Sequence, residues 1–188
     1  MTEPTGIGQS TGEAEAVSRP VLDTEASWGD GILALLPLPC SSKLIKALTR
    51  LHEVNSRQWS TEDQIRSAED EDIPQFKREI DGLNGLRHEL IEETDRTLGP
   101  GWPENDSVPP LTESIGSALD RLSVLTLRLA HAEELLDGTA QAQERVAIVR
   151  DQRDELVWSI EVACEDLASG RRRPPRPERM KLYGKVGR

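Results

Sequence analysis

Aromatic residues make up only 3% of the 188 positions, and no stretch alternates apolar with polar side chains. Strands favour aromatic and β-branched residues at period two, so a sheet protein is set aside. Cysteine is scarce too. Cys40 and Cys164 stand far apart without ligand-type spacing, so neither a zinc site nor a disulfide framework is indicated. The expected compartment is a reducing cytoplasm. A basic start followed by an apolar run is missing, and a signal peptide is not expected. The longest apolar stretch, Gly31 to Cys40, is broken by prolines and too short to span a bilayer, so no membrane partner is expected. A Gly-rich phosphate loop, a Ser-His-Asp order and a Cys–His pair are all lacking.

What is present suits an all-α protein. Leu, Ile, Val and Ala carry the apolar content, and charged residues reach 30%. The length fits one domain with a full core. The net charge of −11 is uneven: from Arg171 onward eight Lys or Arg face one Glu, giving that segment +7 and leaving −18 elsewhere. An acidic body makes nucleic acid an unlikely partner, because phosphate contacts need Lys and Arg. The basic segment is expected to fold back on the acidic bundle.

Residues 1–27 have little to bury and read as a disordered leader; a single helical-bundle domain is expected over 28–185. Trp28 to Pro39 reads as a short apolar segment of about one helical turn. Ser41 or Ser42 is a candidate cap for a long helix to about Ala68. The acidic run Glu69 to Asp72 and Pro74 suit the start of a second helix, Ile73 to about Leu98, which the Gly99-Pro100-Gly101-Trp102-Pro103 run ends. A third helix is expected from Leu111 to about Leu136, with Ile115, Leu119, Leu122, Leu129 and Leu136 on its apolar face. Thr139 then caps a fourth, to about Ser169, where Val149, Leu156, Ile160 and Leu167 share a stripe with Gln152 set into it. Gly170 is a natural stop. Four such helices with short connections describe an antiparallel four-helix bundle.

Two stripes suggest a polar interior seam. In the first helix His52, Asn55, Trp59, Glu62 and Arg66 follow at steps of three and four, continuing the apolar stripe of Leu44, Leu48 and Leu51. In the second, Lys77, Asn84, Arg87, His88 and Asp95 sit on or beside a face set by Ile73, Ile80, Ile91 and Leu98. A buried polar group left unpaired costs roughly 1–3 kcal/mol, so two facing helices with inward ionisable groups build a network or a binding site. Asp120-Arg121 on the third helix is ambiguous: Asp120 lies off the main apolar face and either reaches the seam from the flank or pairs locally.

Several motifs in order carry a resemblance. Leu51-His52-x-x-Asn55-x-x-x-Trp59-x-x-Glu62-Asp63-x-x-Arg66 is followed by Lys77-Arg78-x-Ile80-Asp81-x-x-Asn84-x-x-Arg87. Then come Thr112-Glu113-Ser114-x-Gly116-x-x-x-Asp120-Arg121-Leu122-Ser123, Gly170 and Lys181-Leu182-Tyr183. Over about residues 44 to 185 this resembles a bacterial family of unknown function. The likeness implies that Met180 to Tyr183 belong to the domain. The family's longer polar motif around the tyrosine is shortened here to Tyr183-Gly184.

The preferred expectation is a non-redox acid/base enzyme, a lyase, isomerase or transferase, acting on a small anionic metabolite. Lys77 and Arg87 hold the anion, Glu62, Asp81 or His88 moves a proton, and His52, Asn55, Arg66, Asn84 and Gln152 complete the site. No cofactor is expected. The rival reading is a noncatalytic scaffold or partner-binding bundle whose seam fixes helix register; a homodimer is left open. A third reading places magnesium on Glu62, Asp63 and Asp81, in the manner of all-helical nucleotide pyrophosphohydrolases. Di-metal bundles want Glu-x-x-His, and the nearest sequence, His131-x-x-Glu134, runs in reverse. Lys77 to Glu92 also resembles the first helix of all-helical chorismate mutases, which grip a dicarboxylate with Arg and Lys.

Overall fold

The computed structural model describes residues 28–39, 41–103 and 105–176. Among the described residues five α-helices follow in order: α1 (Trp28–Leu35), α2 (Ser42–Ser67), α3 (Ile73–Leu98), α4 (Ile115–Glu134) and α5 (Ala140–Ala168). A 3-10 turn at Gly99–Gly101 closes α3. Among the described residues there is no strand, only an isolated bridge between Pro110 and Arg173. No helix there is long and apolar enough to cross a membrane. The expected leader, Cys40 and the Met180 to Tyr183 motif lie outside the described residues.

α2 and α3 stand where their periodicity puts them. Ser41 occupies the cap position of α2 in extended conformation, though its side chain makes no capping bond. Pro74 sits in the first turn of α3, where a missing N–H costs nothing. The two helices pack against each other in opposite directions, with Lys43 near Glu93 at 3.9 Å and Arg57 on Glu79 at 2.6 Å. α4 packs on both, α5 docks on α4, and α1 lies on α2.

The main core gathers Trp28 and Ile32 of α1, Leu44 and Leu48 of α2, and Leu119 and Leu122 of α4. From α5 it takes Ile160 and Leu167. All eight are essentially solvent-free, and each large apolar side chain so buried contributes about 1.5–3 kcal/mol. A smaller cluster of Leu51, Leu83 and Leu90 joins α2 to α3, and another of Leu129, Val146 and Val149 joins α4 to α5.

Four expectations are corrected. α1 is a two-turn helix rather than one turn, and Trp28 is fully buried, so it is part of the core. α4 begins at Ile115, not Leu111, because Ser114 Oγ accepts the Ser117 N–H and caps the helix there. It ends at Glu134, leaving Leu136 exposed. The buried stripe of α3 is Leu83, Leu90, Thr94 and Leu98; Ile73, Ile80 and Ile91 are only half-buried. That face is turned toward α4 as well as α2, which rotates it away from the one the isoleucines suggest. At the close of α5, Gly170 adopts φ 69° and its N–H reaches Leu167, while the Arg171 N–H reaches Asp166. This is the glycine stop expected there.

α4 crosses α3 at very short range. A Cβ on Gly116 would stand 2.7 Å from the Ile91 carbonyl oxygen and 2.8 Å from Asp95 Oδ1, so only glycine fits. Asp95 Oδ1 accepts the Gly116 N–H at 2.7 Å and so serves the start of α4 from a neighbouring helix.

Candidate functional site

The polar residues that the fold brings together form a chain through four helices. The Arg87 guanidinium grips Asp120 with two parallel bonds, Nε to Oδ1 at 2.7 Å and Nη2 to Oδ2 at 2.5 Å. Asn55 Nδ2 donates to Asp120 Oδ1 and to Ser123 Oγ, both at 3.0 Å. His52 Nδ1 lies 2.9 Å from Ser123 Oγ. Its ring stacks on the Trp28 indole, with centroids 4.9 Å apart and planes 3° from parallel. The chain thus runs from α3 through α4 and α2 to α1.

Local sequence explains why these side chains point inward. His52 and Asn55 are three apart on α2, one turn beyond Leu48 and Leu51. Asp120 and Ser123 are likewise three apart on α4, in a buried stripe of Gly116, Asp120, Ser123 and Leu127 beside the stripe of Ile115, Leu119 and Leu122. α4 touches α2, α3 and α5, so it is buried over a face too broad for one apolar stripe.

The Asp120 side chain is 6% exposed and the Arg87 side chain 28%. A carboxylate so placed needs a charged partner and hydrogen bonds on its remaining lone pairs, and Arg87 with Asn55 supplies both. The hydrogen bond to Asp120 lifts the Arg87 pKa above the ordinary arginine value. Burial opposes that shift, and the charges of Asp120 and Glu62 add to it. Arg87 is a permanent cation. Among the described residues, Asn55 Oδ1 and Trp28 Nε1 are buried with no hydrogen-bond partner. A buried polar group left without a partner costs about 1–3 kcal/mol.

Arg87 also has an outer side. It lines a cleft of about 530 Å³ between α3, α4 and α5, together with Arg121, Gln152, Glu155, Ser159 and an apolar wall of Val124, Leu125 and Leu156. With Nε and Nη2 committed to Asp120, Nη1 makes no hydrogen bond among the described residues. Arg121 is held by an ion pair with Glu113.

Of the ten residues singled out in the sequence, His52, Asn55 and Arg87 meet in the buried cluster. Gln152 does not face a buried seam: it is exposed, because α5 turns that flank outward, but it joins Arg87 in lining the cleft. Asn84 is half-buried and belongs to neither group. The inward orientation expected of Glu62, Arg66, Lys77, Asp81 and His88 is not found; all five are exposed. Glu62 accepts a bond from Gln58, and Arg66 pairs with Asp63 at 3.1 Å. None of Glu62, Asp81 and His88 lines the cleft. Asp95 serves the start of α4, and burial pushes its carboxyl above the ordinary value against the pull of Ser114 and Gly116.

Glu62, Asp63 and Asp81 are not gathered around one point: among the described residues no three His, Cys, Asp or Glu side chains are placed to hold a common metal ion. His131 stacks on Trp59 at 4.9 Å and lies 3.4 Å from Glu134. Burial pushes the Cys164 thiol up to about 11, so it stays protonated and unreactive.

Asp120 and Ser123 are the functional candidates that sequence reasoning under-read. The Gly116, Asp120, Ser123 and Leu127 steps of four, three and four are a legible second stripe. Trp28 had no comparable signal, since its partner His52 is supplied only by tertiary packing.

This arrangement sits within a recognised family. Residues 45–175 match the family described as protein of unknown function (DUF4254), and the chain belongs to it. No curated protein and no solved structure matches the chain.

Proposed function

We propose that the protein binds a small anionic metabolite in the cleft between α3, α4 and α5 and carries out non-redox acid/base chemistry on it. One observation carries this reading: Arg87 is anchored from behind by Asp120 while it lines the cleft beside Arg121 and Gln152. A guanidinium fixed in advance offers its remaining donors to a carboxylate or phosphate with little ordering cost. Arg121 adds a second cation, and Gln152 and Ser159 add neutral donors. Glu155, the carboxylate lining this cleft, takes the proton-transfer role expected of Glu62, Asp81 or His88. The reading takes the four long helices as one antiparallel bundle with a polar seam, working in the cytoplasm.

The test is calorimetric titration of the whole chain with inorganic phosphate, succinate and citrate. Binding weakened at least tenfold by Arg121→Gln is the expected result. If none of the three anions binds, and Arg121→Gln changes nothing, the anion reading is wrong and a noncatalytic scaffold takes its place.

A further inference from the structure

The cleft does not stop at Ser159. Leu156 and Ser159 also line a second depression of about 290 Å³, between the segment leading into α4 and the last turns of α5. Its floor is aliphatic, with Leu111, Ile115, Ala118, Ile160 and Ala163. Its carboxylates are both occupied: Glu113 by Arg121 and Asp166 by Arg171, at 2.7 Å in the second pair. The Arg172 guanidinium is turned to the Pro110 carbonyl oxygen at 3.3 Å. The groove therefore changes along its length, from two carboxylate-paired guanidiniums, Arg87 and Arg121, with Glu155 beside them, to a mainly apolar lining beyond Leu156 with Arg172 at its edge. Val162, on the rim of the apolar part, is 41% exposed. The two depressions together fall within the roughly 300–1,000 Å³ of ordinary small-molecule sites.

We propose that the ligand is amphipathic, with an anionic head at Arg87 and Arg121 and a short unbranched alkyl or acyl tail lying over Leu156 into the second depression. The proposal rests on the anion-binding reading above and adds the class of ligand. A small polar anion uses only the half that holds Arg87 and Arg121. A tail gains by removing apolar surface from water in the other half, while the paired Glu113 and Asp166 carry no free charge to repel it.

The experiment is calorimetry of the full chain with inorganic phosphate, ethyl, butyl and hexyl phosphate, all below micellar concentrations. Each methylene placed in the depression should tighten binding about three- to fourfold. Val162→Asp sets a charge on the apolar rim at an exposed position, and should bring hexyl phosphate back toward the affinity of inorganic phosphate. Arg121→Gln removes a head cation and also unpairs Glu113 at the tail depression, so it should weaken every member of the series, hexyl phosphate at least as much as inorganic phosphate. Equal affinities for phosphate and hexyl phosphate overturn the tail and leave the anion reading standing. Hexyl phosphate binding that ignores Arg121→Gln overturns the anionic head, and with it the reading on which the tail rests. No binding by any member overturns both.

Discussion

The two halves of the α2–α3 hairpin are built from the same kinds of residue and behave differently. In the inner half, His52, Asn55 and Arg87 meet Asp120 and Ser123 of α4 and are buried or half-buried. In the outer half no residue from Glu62 through Gly82 is buried, and Glu62, Arg66, Lys77 and Asp81 face solvent. The difference lies in the third helix. α2 and α3 are 26 residues long and α4 only 20, or about 39 Å against about 30 Å. Near its end α4 reaches Trp59 through His131, and the hairpin beyond runs on past the core. Periodicity tells which side of a helix a residue is on. How far along it the partner extends decides whether that side is covered.

The comparison is broken most severely at Asp120. Asp120→Ala leaves the Arg87 cation without its partner and Asn55 without an acceptor, and should lower stability by about 3 kcal/mol in urea unfolding. Next comes Gly116→Ala. The added methyl meets backbone at the α3–α4 crossing, and a loss of about 2 kcal/mol is expected by the same method. On the outer half the expectation reverses: Glu62→Gln and Lys77→Met should each stay within about 0.5 kcal/mol of the wild type. A loss of several kcal/mol there would place the covered region wrongly.

The finest test is pH. Burial raises the Asp95 carboxyl above 3.8, so the folded state favours its protonated form. The stability this lends is complete below the unfolded value and is lost as pH climbs through the raised one. Relative to Asp95→Asn, the wild type should therefore be more stable at pH 3 than at pH 7. A difference that runs the other way, or none, removes burial as the dominant influence on Asp95.

Much of the fold was legible in local sequence, and much of the site was not. The bounds of α2 and α3 follow from periodicity, the proline and the Gly-Pro run, all local signals. The start of α4 was misplaced because Leu111 extends an apolar pattern that the Ser114 cap overrides. His52, Asn55 and Arg87 were visible as polar residues on stripes continuous with leucines. Glu62, Arg66, Lys77 and Asp81 look the same in one dimension, because covering them depends on how far α4 extends; His88, beside Arg87, is exposed on a different side of α3. Asp120 looked peripheral since its neighbours Leu119 and Leu122 define a cleaner face, yet α4 is buried on both.

The central claim is that Asp120 holds Arg87 as a coupled, partly buried pair and so presents it to the cleft. A double-mutant cycle tests it, with Arg87→Met, Asp120→Asn and the double variant followed by urea unfolding. We expect the two changes to couple by more than about 1.5 kcal/mol. Additivity within about 0.5 kcal/mol would contradict the account, because Arg87 would then owe its position to something other than Asp120.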